Sequence, residues 1–290
     1  MMPPRVLAAG SAAITLLALA GCSAVPPSPT VAAALTHVHG FAFDQGEDAL
    51  VVATHAGIYR LDIRLAPAAV SGPVGDLDID TMGFTLVGDV AYASGHPGPT
   101  TPTTFGSPNL GLIRSDDIGM TWTNVSLAGT TDFHDLSVSE SLRSRIYGLT
   151  GTSLERSDDD GESWTPVAAI EARDILAPAS DADTLFATVP EGLIVSRDAG
   201  ATFNLVPDSP LLYLIADQGG TQGGLSGIDI EGTVWFQSEA DGEWASGGQV
   251  TGIPQAMFIL PASGQLIVAD DRGISASDDA GLSWEILWAK

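Results

Sequence analysis

After the first two dozen residues, short runs of apolar and β-branched residues alternate with clusters of Gly, Asp, Pro and Ser along the whole chain. MGFTLV at 82–87 is followed by DVAYAS at 89–94, LGLIRS at 110–115 and TWTNVSL at 121–127. The order returns as HDLSVS, RIYGLT, SLERS and SWTPVAA between 134 and 169, and as DILAPA, TLFATV, GLIVS and TFNLVP between 174 and 207. Runs this short, bounded by turn formers, predict strands. No sustained 3.6-residue periodicity competes with them. The pattern divides into six units of four strands, which predicts an all-β chain folded as a six-bladed β-propeller. The propeller is expected to span 36–290 with no second domain, closing between blades 6 and 1.

A second periodicity marks the same units. SDDIGMTW begins at Ser115, SDDDGESW at Ser157, SRDAGATF at Ser196 and SDDAGLSW at Ser277, with a worn copy, SEADGEW, at Ser238. The steps are 42, 39, 42 and 39 residues. GIYRLD at 57–62 has the preceding apolar run without the acidic turn. Each copy joins the third strand of a blade, C, to the fourth, D. Its Asp (Asp117, Asp159, Asp198 or Asp279) is placed to accept backbone N–H bonds across a tight turn. Its Gly reaches a conformation that other residues adopt only at a cost. The aromatic then opens strand D. These turns do not form an EF-hand calcium loop, because a helix-flanked loop with a longer ligand series ending in Glu is absent.

The pattern Ser-x-Asp-x-Gly-x-Ser/Thr-Trp/Phe resembles the Asp-box, or BNR, repeat of sialidase-like β-propellers. THVHGFAFD, ATHAGIYRLD, DTMGFTL, ASGHPGP, GLIRSDD and DFHDLSVS further resemble a group of bacterial BNR-repeat lipoproteins, often labelled glycosyl hydrolases. The resemblance covers nearly all of the chain after residue 22. It implies that the acidic turns are structural and lie away from any active site. It does not imply sialidase activity. The Arg-Ile-Pro motif of that family is absent, and of the arginines only Arg173 and Arg272 are expected on the upper rim, too few for a three-arginine carboxylate clamp. A hydrolase of neutral glycans needs two carboxylates at a defined spacing, and many rim acids qualify equally. The fold alone does not decide the function.

Composition narrows the partners. Eleven Lys and Arg stand against 36 Asp and Glu, a net charge of −25. This excludes the basic footprint that nucleic-acid binding requires. The one cysteine, Cys22, ends MMPPRVLAAGSAAITLLALAGC, which has a basic start, a short apolar core and small residues before the cysteine. This is the anatomy of a secretory signal. Its Leu-Ala-Gly-Cys end resembles a bacterial lipobox, which implies lipidation at Cys22. Residues 1–22 are then signal, 23–35 tether, and the mature protein sits on the outer face of the bacterial cell membrane.

The histidines supply the candidate chemistry. In a propeller the first strand of each blade, A, lines the axis. Strand A starts and B–C turns share one rim, and the acidic C–D turns occupy the other. His37 and His39 open strand A of blade 1, where the i, i+2 spacing puts both on one strand face. His55 ends strand B of blade 1, His96 follows strand B of blade 2, and His134 opens strand A of blade 3. All five fall on the upper rim of three adjacent blades. Asp80, Met82, Asp135 and Arg173 hold nearby axial positions and are candidate ligand-binding residues. Imidazoles with a carboxylate suit zinc, copper or another transition metal. The expected function is a lipid-anchored propeller binding a ligand, with such a metal as the candidate, at its histidine-rich upper mouth. The alternatives are a glycoside hydrolase of sialidase-like fold and a scaffold presenting its loops to a protein or glycan partner.

Overall fold

The computed structural model describes Met1, 35–65, 67–219, 224–238 and 242–290. Cys22, the expected signal beyond Met1 and all but the last residue of the expected tether lie outside those residues, as does part of the worn repeat after Ser238. The chain forms six four-stranded antiparallel sheets, each built from four strands consecutive in sequence. The inner strands are Val38–Asp44, Ile79–Val87, Asp135–Val138, Asp174–Leu176, Leu212–Asp217 and Pro254–Ile259. Each lies beside the next, and the first and sixth lie together, so the blades close a ring around an axis. The protein is a six-bladed β-propeller. Among the described residues no helix is long and apolar enough to cross a membrane.

The core is distributed between the blades. Six apolar clusters occupy the six junctions, one each. Between blades 2 and 3, for example, Tyr92, Leu112, Phe133 and Ile146 are fully buried, and the Phe133 and Trp164 rings pack at 4.4 Å. The alternation read from sequence arises here. Each blade is covered on both faces by its neighbours, so inner strands carry apolar residues at most positions.

Polar side chains near the axis tie one blade to the next. Phe133 N donates to Ser94 Oγ (2.9 Å), Ile175 N to Asp135 Oδ2 (2.8 Å), and Ala177 N to Ser137 Oγ (2.8 Å). Ile215 N donates to Asp174 Oδ2 (2.9 Å), and Val38 N to Gln255 Oε1 (3.0 Å). These inner strands pack as neighbours in different sheets, so their backbone donors have no ladder partner on that side. The side chains satisfy them.

The four intact Ser-x-Asp-x-Gly turns have one hydrogen-bond pattern. In the first, Asp117 Oδ1 accepts from Ser115 Oγ (2.7 Å) and Thr121 N (2.8 Å), and Oδ2 accepts from Thr121 Oγ1 (2.7 Å). Ser115 Oγ in turn accepts from Gly119 N (2.7 Å). Asp159, Asp198 and Asp279 repeat it. Hydroxyl and backbone donors from residue 121, 163, 202 or 283 hold each carboxyl below the usual range.

Candidate functional site

All five histidines lie on the rim opposite these turns, and the local structure explains how they get there. His37 precedes the inner strand of blade 1, and His39 is a bulged residue within it. Val38 pairs with Thr54 and Gly40 with Ala53, leaving His39 without a partner across the ladder. The imidazoles therefore do not share a face by strand alternation, as their spacing suggests. The bulge re-aims His39, and the rings meet at a centroid distance of 4.9 Å. His55 sits at the tip of a two-residue hairpin whose Thr54 Oγ1 donates to Gly57 O (2.8 Å) and accepts from Ala56 N (3.0 Å). Its ring lies 4.6 Å from His37 and 4.5 Å from His39.

His96 stands directly across the ladder from Asp80 in blade 2. Glycine makes that approach possible. Gly95 has φ +141°, and a Cβ there would meet the Asp80 carbonyl oxygen at 1.9 Å. His134 follows Asp132 and Phe133. The buried Phe133 ring pins this tripeptide, leaving its two polar flanks at the mouth.

Two carboxylates link the rings. Asp80 Oδ1 lies 2.7 Å from His55 Nδ1 and 3.5 Å from His39 Nε2, and Asp80 Oδ2 lies 3.7 Å from His96 Nδ1. Asp132 Oδ2 lies 3.5 Å from His96 Nε2 and 3.1 Å from His134 Nε2. The 3.5 Å contact of His39 is electrostatic only, and Nε2 is buried without a hydrogen-bond partner. Asp132 Oδ1 is equally orphaned. Burial raises the Asp80 pKa, but its contacts with His39 and His55, including the His55 hydrogen bond, outweigh it and leave Asp80 below its ordinary value. Burial, then repulsion from His39 and His55, lowers the His37 pKa. Neutral imidazole is the metal-binding form.

One ligand atom from each of His37, His39 and His55 lies within 4.8 Å of the others. An ion with bonds of about 2.1 Å separates tetrahedral ligands by ~3.4 Å, so ring movements of about 1 Å would close the set. His96 and His134 form a separate pair across Asp132. The single five-histidine centre read from sequence is therefore a group of three and a group of two. Asp132, two residues before His134, joins the second group.

The other candidate residues divide. Asp135 and Arg173 line an axial well of about 110 Å³ beside His39 and His134. Asp135 is not free for a ligand: one oxygen accepts from Ile175 N, and the carboxyl also hydrogen-bonds Asp174. Burial, then the Asp174 charge, pushes Asp135 well above the carboxylate range, and burial raises Asp174 too. Arg173 stacks over the Tyr213 ring at 4.9 Å and donates to Gln255 O (3.1 Å). Met82 is the bulged residue of its strand, half-buried and outside the wall of the well. Arg272 pairs with Asp270 (2.6 Å). Phe41, Phe84, Ile215 and Met257 line both the well and a larger axial cavity of about 310 Å³ below it, forming an apolar waist.

No protein-family model matches the chain, and no curated protein matches it. Solved structures do. An ancestral GH74 enzyme is 14% identical over 88% of this chain and 39% of its own, with a TM-score of 0.53. The Niastella koreensis GH74 enzyme is 15% identical over 86% and 45%, with a TM-score of 0.58. A chain of a nidogen/laminin complex is 15% identical over 80% and 89%, with a TM-score of 0.60. The chain spans less than half of either GH74 enzyme. At these identities the likeness is one of fold.

Proposed function

We propose that the protein is a lipid-anchored, extracytoplasmic propeller of the BNR-repeat lipoprotein kind that binds a divalent transition-metal ion at its upper mouth, through His37, His39 and His55. One observation carries the reading: three imidazoles converge while His39 Nε2 is held out of water, with only a long 3.5 Å approach to Asp80 Oδ1 in place of a hydrogen bond. A buried polar atom without a hydrogen bond costs about 1–3 kcal/mol, and a bound cation removes that cost. The other readings find less support. Two-carboxylate glycoside hydrolysis needs carboxyl groups about 5–9.5 Å apart, whereas Asp135 and Asp174 bond each other directly. Asp80 and Asp132 are engaged by the histidines. Arg173 lines the well, while Arg272 is turned onto Asp270, so a carboxylate clamp does not assemble.

Elemental analysis of protein purified without a polyhistidine tag tests the metal reading. At least about one equivalent of zinc or copper is expected after equilibration and desalting. Less than a tenth of an equivalent, with no thermal shift on adding zinc, copper or nickel, would overturn it. For the anchor, Cys22→Ala should release the protein from the membrane or leave the signal uncleaved. Full-length unmodified protein from the native host would refute lipidation.

A further inference from the structure

We infer that the axial well takes a small carboxylate, held by the Arg173 guanidinium on one wall and by the open position of the ion at His37, His39 and His55 on the other. The inference rests on the metal reading and names the ligand of that same mouth.

Arg173 is the starting point. Most arginines of the chain are committed to an acid, as Arg114 is to Asp116 (2.7 Å) and Arg272 to Asp270 (2.6 Å). Among the described residues no carboxylate comes within ion-pair distance of Arg173. Its guanidinium carbon lies 4.9 Å from the Tyr213 ring centroid, and Nη2 donates to Gln255 O (3.1 Å). The side chain is nevertheless fixed. Arg173 N donates to Thr188 O (2.9 Å), and the stacking and the Gln255 bond set the plane of the guanidinium. A guanidinium has five N–H donors, of which one is committed to Gln255 O. In a chain of net charge −25, this exposed and immobilised cation keeps its charge for a ligand.

The well joins this cation to the histidines. His39 and Arg173 line the same space of about 110 Å³. Gln255 links them from behind: its backbone oxygen accepts from Arg173, and its Oε1 accepts from N of Val38 (3.0 Å), the residue between His37 and His39. The charge of Arg173 reaches His37, where it adds to the lowering of the pKa by burial and by His39 and His55. An ion held by three imidazoles keeps a fourth position for an outside ligand. A carboxylate brings two oxygens, one for the ion and one for a charge-assisted bond from the guanidinium. The well has room for about four waters, which suits a carboxylate on a short chain.

The acids of the well make binding depend on the ion. Asp135 and Asp174 bond each other there, and burial raises both, with the Asp174 charge adding to the rise at Asp135. The pair holds one proton, so the well carries one guanidinium charge and one carboxylate charge. These offset each other, and an anion gains little from the well alone. Asp80 and Asp132 stand outside its wall. A divalent ion tips the balance toward an anion, and by linkage the anion tightens the ion by the same factor.

Acetate titration of cobalt-loaded, untagged protein tests the inference, read from the visible absorption of the ion, which changes with its fourth ligand. Wild type should give a saturable change with acetate and none with acetamide, which has the shape without the charge. Chelator-stripped wild type, followed by melting temperature, should bind acetate at least about tenfold more weakly. Arg173→Gln should weaken acetate by about 10–100-fold, the loss of charge-assisted hydrogen bonds, with cobalt affinity within about threefold of wild type. Arg173→Lys keeps the charge but loses the fork, should also weaken acetate, and serves if Arg173→Gln does not fold. Bound cobalt with acetate silent, or with acetate unaffected by both Arg173 variants, would overturn the inference and leave the metal site standing. So would an equal response to acetamide, or equal acetate binding by stripped and loaded protein. Failure to take up cobalt would overturn the metal reading and this inference with it.

Discussion

The two rims of the ring use the same kinds of residue to opposite ends. On the lower rim, each repeat carboxylate spends both oxygens on donors four residues away or nearer, and its pKa falls. Nothing is left to offer a ligand. On the upper rim, the polar groups belong to different blades and face one another across the mouth. There His39 Nε2 and Asp132 Oδ1 are buried without a hydrogen bond. The lower arrangement recurs in four blades, and the upper occurs once, across blades 1 to 3. Repetition accompanies self-sufficiency, and the unrepeated cluster is the part that lacks something.

That contrast can be broken, most severely at Gly95. Gly95→Ala forces a side chain against the Asp80 carbonyl in a positive-φ conformation. Overpacking and backbone strain together should cost about 4 kcal/mol. Denaturant unfolding reads this, and a cost below about 1 kcal/mol would show that the two mouth strands can part. Next comes His39→Ala, which should weaken zinc binding by at least about 100-fold, more than loss of an outer-shell partner costs. Its melting temperature without metal should change little, because the ring gives up no hydrogen bond and its Asp80 contact is long, at 3.5 Å. An unchanged zinc isotherm would remove the asymmetry between the rims.

The lower rim should answer in the reverse sense. Ser196→Ala leaves Gly200 N without its acceptor, a loss of about 1–3 kcal/mol in stability, with zinc binding unaltered. The smallest effect is expected at Asp135. Its raised folded pKa means that the folded state keeps a proton the unfolded chain releases. Stability from this pair is fully present below the ordinary carboxyl pKa and is lost as pH rises through the folded value. Asp135→Asn keeps an acceptor for Ile175 N and should flatten that decline, raising Tm at pH 7 by about 3 °C. A melting curve set from pH 4 to 8 that parallels wild type would contradict the shared proton.

Much of the architecture was legible because a propeller repeats. Strand order, blade number and the rim of every histidine follow from counting strands outward from the acidic turns. The detail of the mouth was not legible, for physical reasons. The i, i+2 spacing of His37 and His39 suggested one strand face, but the strand begins after His37 and bulges at His39. Alternation does not survive a bulge. Asp135 looked available because its partners, Ile175 and Asp174, lie about forty residues on, across a junction between sheets. The division of five histidines into three and two depends on Asp132. Its neighbour Phe133 is buried between blades 2 and 3, and no local pattern announces that.

The ring exchanges no strand at its seam. Leu287 O accepts from Ala68 N (3.0 Å), and the Lys290 ammonium donates to Thr36 O (3.0 Å), one residue before His37. The ends of the propeller therefore meet, and they meet at the mouth. A circular permutant that joins 290 to 36 and reopens between blades 3 and 4 would keep every sheet intact and move the new termini away from His37 and the seam. The same adjacency warns the experimenter. A polyhistidine tail fused after Lys290 would hang over the histidines it is meant to leave undisturbed, and would supply imidazoles of its own.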